Sequence, residues 1–430
     1  MTIIAMFGGE FYYPKYKEVK SILPLMDILN QGFLDLKKIK KSDILDLFQK
    51  YTENLRKSSE VNTIEGVMFL SNWLRKSNFT QIIEKNLKDI NYLEGFIGDR
   101  KRIKAQPRGM AVHWIAGNVP TLGMFSLFQS LFVGNANILR VPLISHDILV
   151  KLLKEFADTK IESGLSGADL LKSVALIFCD EIDIRGNSEL SELADIRVVW
   201  GGEAAIRAIT GLPRKSHCDD IVFGPKYSFS VFDINAIKSE KFQRYIRFLV
   251  GDILLFDQAA CTSPHTVFFE IGDKSLQEIA QIIAQEFQKA TKRYPKTNVD
   301  QYITTQIINT RGEYALDPEK FVICPWENDW TILMNKEIKL EEPIESRTIF
   351  IKEIDDIMQT IPLITKKIQT IGCAVEDKKK LVEFADQVTY RGVSRCVDLG
   401  QMHLYDSPWD GMLFLSRAVN WVTLYLGREK

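Results

Sequence analysis

The residues best suited to chemistry in this chain are one thiol and a few polar groups at strand ends. Cys261 stands in Phe256-Asp257-Gln258-Ala259-Ala260-Cys261-Thr262-Ser263-Pro264, with small residues on both sides, just ahead of the apolar run His265 to Glu270. A cysteine kept for its apolar bulk usually lies inside a hydrophobic run, as Cys179 does at the end of Val174 to Cys179. Small neighbours let a substrate approach sulfur, so a thiolate nucleophile is one reading of Cys261 and an inert cysteine is the other. Asn118, in Ala116-Gly117-Asn118-Val119-Pro120, follows an apolar run. Its side-chain amide can donate to an oxyanion, or form a plain Asx-turn with Gly117 as the tight corner and Pro120 opening the next helix. Arg140 ends Ile138-Leu139-Arg140 and is suited to a nucleotide ribose or phosphate, or to solvent. Gly201 and Gly202 lie between a β-rich run and the helical stretch from Glu203, where backbone N–H groups can approach a phosphate; the full dinucleotide fingerprint is missing, and glycine pairs at turns are common. Glu341 and Glu342 before Pro343 read as a solvated turn.

Elements must hold these groups in place, and the composition supplies the material. The chain has 430 residues, 46% hydrophobic and 26% charged, enough for two or three domains with ordinary cores. Fifty-five basic residues against 56 acidic ones leave no nucleic-acid footprint and no polybasic membrane patch. The six cysteines are widely spaced, with no CxxC pair and no metal-ligand spacing beside the five histidines, so a reducing cytosol is the expected compartment. Met1 to Glu10 reads as a first strand and turn, neither signal peptide nor membrane span.

From Lys40 to Leu87 apolar residues recur at three- and four-residue steps after a cap at Ser42-Asp43, predicting an N-terminal helical layer. Strands are expected at 109–116, 136–141, 174–179, 196–200, 228–232 and 266–270, with helices at 122–131, 147–157, 203–209, 236–248 and 275–293. Such alternation predicts an open parallel sheet, which binds ligands beyond the C-terminal ends of its strands. The aromatic close of the chain, with Trp409 and Trp421, should be buried or face a partner.

Read in order, Pro107-Arg108-Gly109, His113 to Pro120, Gly134 to Arg140, Gly224 to Phe229 and Asp257 to Pro264 resemble the LuxC-type acyl-CoA, or acyl-protein thioester, reductases. These belong to the aldehyde dehydrogenase-like superfamily and supply fatty aldehyde for bacterial bioluminescence. The likeness spans about Asn91 to Gly411. It implies an α/β fold with a Rossmann-type cofactor domain and an α/β catalytic domain. The corresponding expectation is a helical layer and nucleotide-binding domain over 1–226, a thiol domain over 227–404, and a segment 405–430 packing on the core or on a neighbouring subunit.

The resemblance makes Cys261 the acylated cysteine, and gives Asn118, with the Cys261 backbone N–H, the oxyanion hole. Gly201 and Gly202 match the turn beneath the cofactor pyrophosphate, Arg140 the basic residue near the adenosine ribose, and Glu342 the acid on the nicotinamide ribose. Ile344-Glu345-Ser346 replaces the Phe-Gly-Pro expected shortly after that acid. Where hydrolytic aldehyde dehydrogenases have Glu-Leu-Gly-Gly-Lys, this chain has Val222 to Lys226, so the water-activating glutamate is a valine. The implied reaction is NADPH-dependent reduction of a long-chain acyl-CoA or acyl-protein thioester to aldehyde, with NADH possible. NADPH is expected because Leu143 stands where NAD-selective relatives carry an acid. A homo-oligomer and a companion acyl-protein synthetase are implied as well. A hydrolytic aldehyde dehydrogenase and a silent scaffold of a fatty-acid-handling complex remain as alternatives.

Overall fold

The alternation of β-rich runs and helical stretches folds, in the computed structural model, into two α/β units; residues 1–119, 121–296 and 300–427 are described. Pro120, expected to open a helix, lies outside the described residues. One unit comprises 1–224 and 405–430, the other 225–404.

In the first unit the strands are β1 (Thr2–Phe7), β2 (Glu10–Phe11), β3 (Lys17–Val19), β4 (Lys101–Pro107), β5 (Met110–Trp114), β6 (Ala136–Arg140), β7 (Val174–Cys179), β8 (Ile196–Trp200) and β9 (Asp219–Phe223). The sheet runs β2-β1-β7-β6-β5-β8-β9, with β3 also on β1. From β7 to β9 all pairs are parallel, while β1 joins β7 antiparallel. Helical crossovers link the parallel strands, as parallel pairing requires. Successive strands leave β5 in both directions, so the topological switch point lies between β5 and β8.

Helix Leu122–Val133 is buried on nearly every side because the sheet covers one face and the N-terminal helices 41–57, 67–74 and 76–87 cover the other. Phe48 and Phe79 meet its Phe128 and Phe132 edge-on, at 5.0 and 5.2 Å between ring centroids. Tyr405 stacks on Phe125 and on the buried Trp409, each at 4.4 Å, whereas Trp421 is exposed. Strand Val419–Tyr425 pairs antiparallel with β4 in a separate two-stranded sheet.

The second unit has its own sheet of β10 (Tyr227–Phe232), β11 (Pro264–Glu270), β12 (Phe321–Ile323), β13 (Thr331–Met334), β14 (Thr348–Ile354), β15 (Ile368–Ala374) and β16 (Arg395–Asp398). Its order is β12-β13-β14-β11-β10-β15-β16, parallel except for β12. Helices Phe242–Leu254 and Leu276–Arg293 bury Ile246, Leu249, Ile279 and Ile283 in one shared cluster, and Phe384 and Val388 of helix Lys378–Tyr390 belong to another.

Three expectations need correction. The single open sheet is two sheets, one in each unit. The helix expected at 236–248 is two helices, Ile234–Lys238 and Phe242–Leu254, because Asp233 caps the first at Ala236 N–H and the chain turns extended at Ser239. Ser42 and Asp43 do not cap their helix: it begins at Lys41, whose N–H donates to Glu94 Oε1 at 2.6 Å, so a tertiary carboxylate replaces the local cap. Among the described residues no helix is long and apolar enough to cross a membrane.

Candidate active site

Each unit presents its own group of sequence-predicted residues. In the first unit, Arg140 ends β6, and Asn118 and Gly201-Gly202 lie just past C-terminal strand ends. Asn118 is exposed in the bend after β5, and Gly201-Gly202 follow β8, so they flank the switch point. A Cβ on Gly202 would meet nothing within 4 Å, so no internal crowding calls for glycine there. What the missing side chain leaves open is the amino end of helix Glu203–Thr210, whose first N–H groups and dipole favour an anion. Glu203 in that first turn is turned toward Arg207, at 3.0 Å.

Arg197 of β8 holds the other end of this helix. Its side chain is fully buried, and it pairs with Asp220 at 2.6 and 2.7 Å and donates to the carbonyls of Ile209 and Leu212 at 3.0 and 3.3 Å. Arg140 is partly committed within the protein: its Nε donates to the Cys179 carbonyl at 2.9 Å, and its guanidinium lies 5.8 Å from the Phe178 ring centroid. Burial lowers its pKa, while Asp180 and Glu181, just past β7, act in the opposite direction.

In the second unit Cys261 sits immediately before β11, on the N-terminal side of that sheet. It is half-buried, and Ala260, Thr262 and Ser263 around it are buried. The turn carrying it is held from both sides. Ser228 Oγ donates to the Cys261 carbonyl at 2.8 Å. Gln258 Nε2 donates to the carbonyls of Pro264 and Thr348 at 2.8 and 2.9 Å, and its Oε1 accepts from Thr348 N–H at 2.7 Å. One amide therefore clamps both ends of the five-residue segment Ala259 to Ser263.

Thr262, next to the thiol, bonds His403 Nδ1 at 2.7 Å, and His403 Nε2 faces the Asp252 carbonyl at 2.7 Å. A carbonyl only accepts, so Nε2 carries the proton and Nδ1 accepts from the Thr262 hydroxyl. Burial lowers the His403 pKa to about 4, which keeps that tautomer neutral. Burial also raises the Asp252 carboxyl to about 7, against the backbone N–H of Gly400 and Met402 that it accepts from. The backbone ahead of the thiol is left-handed at Phe256, Asp257 and Gln258, with φ of 55, 48 and 69°. Such a conformation costs a non-glycine residue roughly 1–2 kcal/mol, and strain of this kind concentrates at functional sites.

Glu342 is exposed, and its neighbour Glu341 is the anchored one. Glu341 pairs with the fully buried Lys352 at 2.7 Å and accepts from Asn335 at 3.1 Å. The acid pair is thus half a buried ion pair rather than a wholly solvated turn. Tyr227 lies close enough to Glu342 that this carboxylate adds to the effect of burial in raising the phenol's pKa. Val222, which stands where hydrolytic relatives have the water-activating glutamate, is half-buried on β9 and packs on the apolar cluster that includes Val112 and Val199.

Sequence reasoning missed Gln258, Arg197, the Thr262–His403 contact and the acids beside Arg140. Gln258 alone carried a local signal, an amide three residues ahead of the thiol. Among the described residues no cluster of three or more His, Cys, Asp or Glu could hold a metal ion.

Solved structures of similar fold include putative aldehyde dehydrogenases. One from Burkholderia cenocepacia has a TM-score of 0.72 at 10% identity, covering 99% of this chain and 94% of that one. PutA from Anabaena variabilis gives 0.65 at 12%, covering 99% and 97%. At such identities the likeness shows the aldehyde dehydrogenase-like fold, and sequence relatives narrow it. A protein named long-chain acyl-protein thioester reductase 2, from Photobacterium leiognathi, is 25% identical over 82% of this chain and 73% of its own length. The acyl-CoA reductase (LuxC) profile matches residues 16–421, which spans most of both units and includes Asn118, Arg140, Gly201, Gly202, Cys261 and Glu342. With a parallel α/β fold, a thiol on a strained turn and a match over nearly its whole length, the chain belongs to the acyl-CoA reductase (LuxC) family.

Proposed function

We propose that this protein reduces a long-chain acyl thioester, on CoA or on a protein, to the fatty aldehyde through an acyl-Cys261 intermediate. The observation that carries this is the Cys261 turn, clamped by Gln258 and strained ahead of the thiol, in a member of a family of acyl-CoA reductases. Cys261 attacks the thioester carbonyl, the donor thiol leaves with a proton, and the acyl group stays on sulfur. A bound nicotinamide supplies the hydride that reduces the acyl carbon. Asn118 is assigned the oxyanion on the resemblance, where one good donor contributes roughly 3 kcal/mol to the transition state. Collapse of the thiohemiacetal restores the Cys261 thiol and releases aldehyde. Val222 supports reduction over hydrolysis, since a valine cannot activate water against the acyl-cysteine.

The first unit suits a dinucleotide at its switch point. Gly201 and Gly202 would hold the pyrophosphate at the open helix end and Arg140 the adenosine ribose, while Glu342 takes the nicotinamide ribose on the resemblance. NADPH is proposed over NADH: Leu143 brings no acid to this segment, and Asp147 is paired with Lys151 at 2.6 Å. Asp180 and Glu181 beside Arg140 oppose a 2′-phosphate and keep the preference modest. A reducing cytosol, a homo-oligomer and a companion acyl-protein synthetase complete the proposal. The test is aldehyde formation from a long-chain acyl-CoA with NADPH. Wild type should form one aldehyde per NADPH oxidised, and Cys261→Ala none while still binding nucleotide. Aldehyde formed by Cys261→Ala would remove this thiol from the mechanism.

A further inference from the structure

The left-handed stretch ahead of Cys261 has a counterpart. Glu345, Ser346 and Arg347, none of them glycine, have φ of 69, 56 and 64°. The two triplets are distant in sequence and tied directly together. Arg347 donates to Asp257 Oδ1 from Nε at 2.7 Å and from Nη2 at 2.6 Å, with only 4% of the arginine side chain exposed. Ser346 N–H donates to the Asp257 carbonyl at 2.9 Å, next to the Gln258–Thr348 bonds. Arg347 Nη1 also donates to the Tyr294 carbonyl at 3.0 Å, and Lys296 Nζ to the carbonyl of Ser346 at 3.3 Å. An unfavourable backbone persists only when its surroundings over-determine it, and here each triplet is the surroundings of the other.

We propose that Asp257 and Arg347 are positioning residues for the nucleophile: their ion pair, buried on the arginine side, locks the two left-handed triplets together and so fixes the turn that presents Cys261. This rests on reading Cys261 as the acylated residue. The guanidinium fork fits the task because it bonds the carboxylate with two donors and a backbone carbonyl with a third, which an ammonium cannot do in one plane. The loop locked to the turn is the one that carries Glu342, so the same contact sets the exit of that loop.

The experiment compares wild type, Asp257→Asn, Arg347→Met and the double variant. The acylation rate is followed by intact mass at saturating long-chain acyl-CoA without nucleotide, and NADPH binding is titrated separately. Each single variant should acylate at least about tenfold more slowly at saturation, with NADPH affinity changed less than about twofold, and the double should be no slower than the worse single, because one shared interaction is lost. Acylation at the wild-type rate by the folded variants, even with a lowered melting temperature, would overturn the proposal. So would losses that multiply in the double variant.

Alkylation by iodoacetamide separates this result from the parent reading. Cys324 is exposed and serves as an internal reference thiol. The ratio of Cys261 to Cys324 alkylation rates should change at least about threefold in each single variant, since buried-pair loss displaces local groups. An unchanged ratio would overturn the positioning role, whereas a wild type that never acylates would sink the thioester reading and leave the ratio to decide the clasp. If Arg347→Met fails to fold, the isosteric Asp257→Asn carries both measurements.

Discussion

Replacing Arg197 by methionine should destabilise the first unit and weaken nucleotide binding together, because this guanidinium anchors the helix behind Gly201-Gly202. It is fully buried and makes two bonds to Asp220, one to Ser191 Oγ at 2.9 Å, and others to the carbonyls of Ile209, Thr210 and Leu212. Removing one partner of a buried ion pair costs about 3–5 kcal/mol. Asp220 keeps Arg214 at 3.1 Å and is 20% exposed, which favours the lower end, while three carbonyls that lose a donor add to it. A loss of about 3–4 kcal/mol results, and at about 2–4 °C per kcal/mol for a unit of this size the melting temperature should fall by about 6–16 °C. Calorimetry on wild type, Arg197→Met and Asp220→Asn, with NADPH titrated into each, reads both effects. Asp220→Asn should cost less, since its amide oxygen still accepts one of the two bonds. An Arg197→Met protein melting within about 2 °C of wild type would refute the reasoning, as would normal stability with weakened NADPH.

Three further outcomes are expected. Asn118→Ala should slow aldehyde formation about a hundredfold with NADPH affinity unchanged, as for a donor used in the transition state; an unchanged turnover would make it a turn residue. Leu143→Glu should lower kcat/KM with NADPH relative to NADH, and Asp180→Asn with Glu181→Gln should raise it; no movement in either ratio places cofactor selectivity elsewhere. Burial lowers His113, His146 and His403 to about 4 and His265 to about 3, so their stabilisation is complete above pH 6.5 and is lost as pH falls toward those values. Asp252, raised to about 7, acts in the opposite sense and favours the fold as pH falls from 7 toward 4. Four imidazoles taking up protons against one carboxyl releasing its own give a net uptake of about three protons on unfolding near pH 5.5, measurable from the slope of stability against pH. A flat profile between pH 6.5 and 5 would contradict that burial.

Strands β5 to β8, β10 and β11 were legible because each is a short apolar run between turn residues, the pattern of strands buried on both faces. Their ends followed, and with them the positions of Asn118, Arg140, Gly201, Gly202 and Cys261. β9 was not legible: Asp219 and Asp220 make its first half look like a loop, and the arginines that neutralise them include Arg417 and Arg197, which no local pattern joins to them. The basic β4 pairs with Val419–Tyr425, more than three hundred residues away, which no local pattern announces. The same holds for the site's supports. Gln258 stands beside the thiol in sequence, but Arg347, Thr348 and His403 reach it only through strand order, and Asp180 and Glu181 meet Arg140 because β6 and β7 are neighbours. The residues proposed for chemistry carry a local signature of type and neighbours; the residues that hold them in place are specified by topology.

The central claim is that Cys261 carries the acyl group, and the most direct measurement is the intact mass of the protein after incubation with a long-chain acyl-CoA and no nucleotide. The account predicts one acyl group per chain on Cys261, stable to water for want of an activating carboxylate at Val222, discharged as aldehyde when NADPH is added, and absent from Cys261→Ala. An adduct that forms equally on Cys261→Ala, or one that NADPH does not turn into aldehyde, would contradict it.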